Sequence, residues 1–262
     1  MTGYRWSKQR WRPAAQDSVL AVAQDPSQRQ PLLRVPVTVL GLLAVFAIVY
    51  TAEIMASAQT LNGIFARFAF YPARYSAHFI STHGVDPGSL FDRAVPFFSY
   101  MFLHESLTHF LINVVWIALF GWIVARRCGG LVFLSLFIVC GVIGALIELA
   151  FDWGAVAPFL GASAGAAGIM GAAVRIFRYP IFRNDGRAPL IPILSIRVLI
   201  WSLGWAAFNS VAALTGLGAG AGSHTVAWQV HLGGFAAGLL LVGPFLAARN
   251  WMLGDVIERR SA

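Results

Sequence analysis

The chain has 262 residues, a formal charge of +8 at pH 7, 58% hydrophobic residues and only 11% charged ones. A soluble domain carries roughly 25% charged residues, so this composition excludes an ordinary water-soluble fold and makes a membrane the expected solvent. The basic residues sit at the ends of hydrophobic segments and form no single patch, which argues against nucleic acid as a partner and makes them topology signals.

Several apolar runs reach the roughly 20 residues that a helix needs to cross a ~30 Å hydrocarbon core, and none shows the ~10-residue alternation of a membrane barrel. The predicted class is therefore all-α and polytopic. In chain order, residues 1–34 (with Arg5, Lys8, Arg10, Arg12, Arg29 and Arg34) hold too few clustered apolar residues for a core and are predicted to be a flexible basic tail. Six apolar segments follow, at about 35–55, 106–125, 131–151, 162–178, 194–214 and 226–248, with a short tail at 249–262. Six spans put both termini on one side of the membrane.

The connections fix which side. Basic residues accumulate in cytoplasmic loops. They occur here in the tail, the second connection (Arg126, Arg127), the fourth (Arg175, Arg178, Arg183, Arg187) and the C-terminus (Arg249, Arg259, Arg260). The third connection carries Asp152, and the fifth, 215–225, has no Lys or Arg. Both termini are predicted to be cytoplasmic. The first connection, about 56–105, departs mildly from that pattern with Arg67, Arg74 and Arg93, but it is long and aromatic from Phe65 to Phe79, as expected of a partly helical loop on the outer leaflet. The fifth is glycine-rich, with no preferred conformation, and is the candidate for a moving cap.

Polar side chains at membrane depth are costly, so each demands a reason. His109, Asn113, Ser163 and His231 lie on three separate spans, each in the outward half, where they can converge. Ser163, in Gly161-Ala162-Ser163-Ala164-Gly165, taken alone is an N-cap at the first turn of span four. The string also matches G-x-S-x-G, but the nucleophile elbow needs a preceding strand and none is predicted. A Ser at a helix start still has free N–H groups and a positive helix end beside it, both of which suit an oxyanion. His231, Gly234 and Gly238 share one face of span six, a small-residue face able to meet the glycines of span four. A neutral imidazole against a Ser hydroxyl is the minimum unit of nucleophilic catalysis, and the bland alternative is a buried His bonded to a carbonyl.

His109 and Asn113, four apart, share a face that suits oxyanion donation, or simply hydrogen bonding between helices. His104 and His109 are five apart and out of register for a helical metal site, so no metal is expected. Cys128 and Cys140 offer neither ligand spacing nor a disulfide framework.

The segment from Tyr100 through His104, His109 and Asn113, then Gly161-Ala162-Ser163, then His231-Leu232-Gly233-Gly234 with Gly238, resembles the rhomboid family of intramembrane serine proteases. The resemblance spans about 35–248. It implies a six-span rhomboid-like bundle in which Ser163 is the nucleophile and His231 its base. His109, Asn113 and the Ser163 backbone N–H would form the oxyanion hole, with His104 structural and no cofactor required. The implied substrates are single-span membrane proteins cut within the bilayer, with span five and the glycine-rich connection before span six as the candidate gate; six spans without a seventh, in a short chain, point to a bacterial inner membrane. The chain departs from the family pattern at Ala164, where Gly is common, and at Val95-Pro96, where a Trp-Arg pair is frequent. At Ala167 some members stack an aromatic on the catalytic His, which leaves the orientation of His231 to another group. The alternatives are a non-catalytic rhomboid-like binding factor and a small transporter, the latter drawn from Glu148, Arg197 and His231 at membrane depth.

Overall fold

The computed structural model describes residues 35–84, 86, 88–177, 189–215 and 228–261, with side chains in the last stretch as far as Leu253. The basic tail 1–34, the glycine-rich connection beyond Thr215, Arg178, Arg183 and Arg187, and the side chains of Arg259 and Arg260 lie outside the described residues. Among the described residues five helices are long and apolar enough to cross a membrane: α1 (Val37–Met55), α6 (Leu107–Cys128), α7 (Gly130–Phe151), α9 (Ile196–Thr215) and α10 (Trp228–Ser261). They answer to the first, second, third, fifth and sixth predicted spans. Their outward faces are apolar, with Val37, Ile48, Leu119, Leu131 and Leu203 all more than half exposed and suited to lipid.

The predicted fourth span differs. It forms α8 (Ser163–Ile176), only 14 residues, which covers about 21 Å at ~1.5 Å per residue and falls short of the ~30 Å core. Every residue of α8 except Ser163 and Arg175 is buried, because α6, α7 and α10 pack around it. An enclosed helix meets protein instead of lipid, so its length need not match the bilayer. The helix of the last span, α10, continues through residues 249–261, the stretch expected to form the short C-terminal tail.

Glycines explain how α8 can be enclosed. A methyl group on Gly234 would collide with the Ala164 carbonyl, one on Gly238 with the Gly168 carbonyl, and one on Gly171 with the Phe235 carbonyl. The α8 and α10 backbones therefore touch along the face predicted from His231, Gly234 and Gly238. Gly165 is turned elsewhere, onto the Phe137 ring of α7. At the far end of α8, Arg175 donates to the carbonyls of Ile191 (3.1 Å) and Leu239 (2.8 Å), which satisfies a cation half inside the protein.

The first connection is partly helical, as predicted. It contains α2 (Ala58–Phe68), α3 (Ala77–His83), α4 (Leu90–Ala94), α5 (Pro96–Ser99) and 3-10 turns at Pro72–Tyr75 and Tyr100–Phe102. Serines start three of these helices: Ser57, Ser76 and Ser89 each accept a hydrogen bond from the N–H three residues on, and Ser89 with Asp92 completes a capping box. An antiparallel bridge between Phe70 and Phe159 ties this connection to the segment before α8. Around that bridge Phe70, Tyr75, Phe97, Tyr100 and Phe159 pack ring to ring, anchoring the approach to Ser163.

Candidate active site

The turn into α8 is set by Gly161, whose φ of +116° is open to glycine and strained for other residues. Its N–H donates to the Tyr100 carbonyl at 2.9 Å, fixing the turn against the first connection. The helix cap that follows is Ala162, with no side-chain capping bond, so Ser163 is the first helical residue and the N-cap reading of its side chain does not apply. Its hydroxyl lies 2.7 Å from Nε2 of His231, which sits in the first turn of α10. Close glycine packing of α8 on α10 is what brings these residues, 68 apart in sequence, into hydrogen-bond range.

The other imidazole nitrogen is also held. Nδ1 of His231 is 2.9 Å from Oδ1 of Asn209 on α9, and Nδ2 of Asn209 donates to the Trp228 carbonyl at 2.9 Å. Asn209 is 2% exposed. Sequence reasoning missed it, although the rule that singled out Asn113, an amide at membrane depth, applies equally to a carboxamide within the fifth apolar run.

His109 and Asn113 project from α6 toward the same turn. A methyl built on Gly161 would lie 2.5 Å from His109 Nε2 and 3.6 Å from Asn113 Nδ2, so both groups converge on the backbone just before Ser163. Ser106 caps α6 by accepting the His109 N–H at 3.2 Å, and Asn113 Nδ2 donates to the His109 carbonyl at 3.1 Å. The α8 start adds free backbone N–H groups to this cluster. His104 stands behind it. Its ring is buried against the edges of Phe46, Tyr50 and Phe110 and lies 5.4 Å from that of His109. Among the described residues neither ring nitrogen has a partner at good hydrogen-bond geometry, and its backbone N–H donates to the Glu53 carboxylate of α1 at 3.3 Å. Burial pushes the His104 pKa down to about 3, so it stays neutral.

A cavity of about 680 Å³ opens over Ser163 and His231 and is walled by His109, Asn113, Trp205 and Glu148, among others. Glu148 is buried, whereas Arg197, also noted from the sequence, is exposed at the start of α9 and donates to the Phe177 carbonyl at 3.3 Å. Among the described residues no group of three His, Cys, Asp or Glu side chains is arranged to hold a metal ion. The two cysteines are buried and unpaired.

An all-helical membrane bundle with a Ser–His hydrogen bond at the start of a short enclosed helix defines a narrow class of protein. The family model described as Rhomboid domain matches residues 92–248, more than half of the chain. The protein belongs to the rhomboid family, integral membrane proteins that are generally serine proteases acting on membrane proteins within the bilayer. No curated protein matches the sequence significantly.

Proposed function

We propose that this rhomboid-family protein is an intramembrane serine endopeptidase that uses Ser163 as nucleophile and His231 as general base. The observation that carries this reading is the 2.7 Å contact between the Ser163 hydroxyl and His231 Nε2 at the floor of the cavity. Ser163 Oγ attacks the scissile carbonyl carbon while its proton passes to Nε2. The carbonyl oxygen becomes an oxyanion facing the His109 ring, the Asn113 amide and the Ser163 N–H. As the intermediate collapses, the imidazolium gives its proton to the leaving amine, and an acyl group remains on Ser163. Water, deprotonated by the same imidazole, releases the second product and restores the hydroxyl.

The substrates of this reading are single-span membrane proteins whose helices carry small or helix-destabilising residues near the cut. A helix in lipid protects its peptide bonds by internal hydrogen bonding, so a weakened turn is the one that can reach Ser163. Residues 35–248 form the six-span catalytic domain, with both termini cytoplasmic in a bacterial inner membrane. The basic residues of the second and fourth connections support that orientation. With Arg175 toward the cytoplasmic interface, the short α8 leaves Ser163 roughly 10 Å inside the outer edge of the hydrocarbon core.

The test is cleavage of a panel of single-span substrates by the purified wild type and Ser163→Ala, read by gel and mass spectrometry. Cleavage by the wild type alone is expected. Equal cutting by both proteins overturns the Ser163 mechanism, and substrate binding without cleavage by either favours the non-catalytic family role.

A further inference from the structure

The bond from His231 to α9 is not needed to explain why Ser163 and His231 meet, and it has its own logic. Along α9 the buried residues are Val198, Asn209 and Ala212, so Asn209 is the polar one among them. A carboxamide at membrane depth requires partners, and both ends of this one are used. The Trp228 carbonyl can only accept, so the Asn209 atom facing it is the NH₂ group, and the atom facing His231 is the carbonyl oxygen. An oxygen there requires the hydrogen of the neutral imidazole to be on Nδ1. Nε2 is then the bare nitrogen, and the Ser163 hydroxyl must donate to it. A chain of four groups, from a main-chain carbonyl through an amide and an imidazole to a hydroxyl, thus has one proton arrangement, and it is the reactive one.

We propose that Asn209 is a positioning residue that fixes the Nδ1–H tautomer and the ring plane of His231, extending the pair to a Ser163–His231–Asn209 relay. This rests on the reading of Ser163 and His231 as the catalytic pair. It also accounts for Ala167: the position four residues after Ser163 carries no ring to stack on His231, and the restraint comes from α9 instead. When His231 takes the serine proton, the Asn209 oxygen stays in place as acceptor for the Nδ1–H of the imidazolium, without adding a charge to a low-dielectric site.

The experiment compares wild type, Ser163→Ala, Asn209→Leu, Asn209→Asp and Ser210→Ala, the last a control on α9, an exposed residue whose hydroxyl bonds the Ala206 carbonyl of its own helix. Thermal unfolding in detergent, kcat, KM and the pH dependence of kcat are measured on one cleaved substrate. Asn209→Leu is expected to lower kcat by roughly 10- to 100-fold with KM nearly unchanged, because the base loses its orientation while Asn209, though in the cavity wall, is buried and offers a substrate almost no surface. Asn209→Asp keeps an acceptor oxygen, so its kcat exceeds that of the Leu variant. Its carboxylate stabilises the imidazolium, so the acidic limb of its kcat profile moves to higher pH. Among the described residues the other titratable groups walling this cavity are Tyr100 from the first connection, Glu105 and His109 from the α6 side, and Glu148 and Asp152 at the end of α7. All five are unchanged in these variants, so a shift confined to Asn209→Asp belongs to residue 209. A folded Asn209→Leu with wild-type kcat overturns the proposal. If that variant does not fold, an unmoved acidic limb in Asn209→Asp overturns it. Activity in Ser163→Ala instead overturns the underlying catalytic pair, whatever the Asn209 variants do.

Discussion

At the scale of single residues, the site is built from groups whose alternatives are sterically or electrostatically costly. Gly161 has its neighbours His109 and Asn113 where a side chain would go, and its φ of +116° disfavours one in any case. Gly161→Ala should therefore push the His109 ring aside, with backbone strain of about 1–3 kcal/mol, and lower kcat by roughly tenfold or more while the protein still folds. Cleavage kinetics with a parallel unfolding measurement check this. His104 gives a prediction in pH. Its pKa falls from an ordinary 6.5 to about 3 on folding, so between those values the unfolded chain binds more protons than the folded one. Stability is full above pH 6.5 and is lost as the pH falls, by up to about 1.4 kcal/mol per pH unit from this group. Unfolding in detergent from pH 7 to pH 4 should show stability falling, and His104→Phe should make that fall shallower by the contribution of this one group. Ser163, His231, His109 and Asn113 were legible as polar residues at membrane depth. Asn209 was legible by the same rule, but its role was not, because a hydrogen bond between spans five and six has no local signal.

At the scale of elements, small residues decide which helices can touch. Gly238→Leu places a side chain into the Gly168 carbonyl and forces α8 and α10 apart, so both the unfolding temperature and cleavage should collapse. Gly204, on α9, has nothing within 4 Å of where its Cβ would lie. Gly204→Ala should leave activity unchanged and raise stability by up to about 1 kcal/mol, the difference in helix propensity. The pair separates glycines needed for close approach from glycines merely present. The same packing explains why span four was predicted too long. Hydropathy sees an apolar run at 162–178, but the helix stops at Ile176 because it is fitted to its neighbours and not to the bilayer.

At the scale of the molecule, the basic residues make the orientation testable. Cys128 and Cys140 are fully buried, so an impermeant maleimide on intact cells should label neither. Leu90→Cys, at an exposed site in the first connection, should then label from outside, and Met252→Cys, exposed near the end of α10, only after the cells are opened. The reverse pattern would invert the proposed topology. Composition and the spacing of apolar runs were enough to establish an α-helical membrane protein and the course of its long helices, because lipid leaves a spanning chain few ways to satisfy its backbone. The motif residues were also readable one by one, since charge and hydrogen-bonding capacity are properties of the side chain itself. Only the tertiary structure decided that α8 is short and enclosed, that Ser163 is not its own helix cap, and that Asn209 reaches His231 from a third helix. Those outcomes depend on which backbones approach to van der Waals contact, a property of several segments at once that no single stretch of sequence carries.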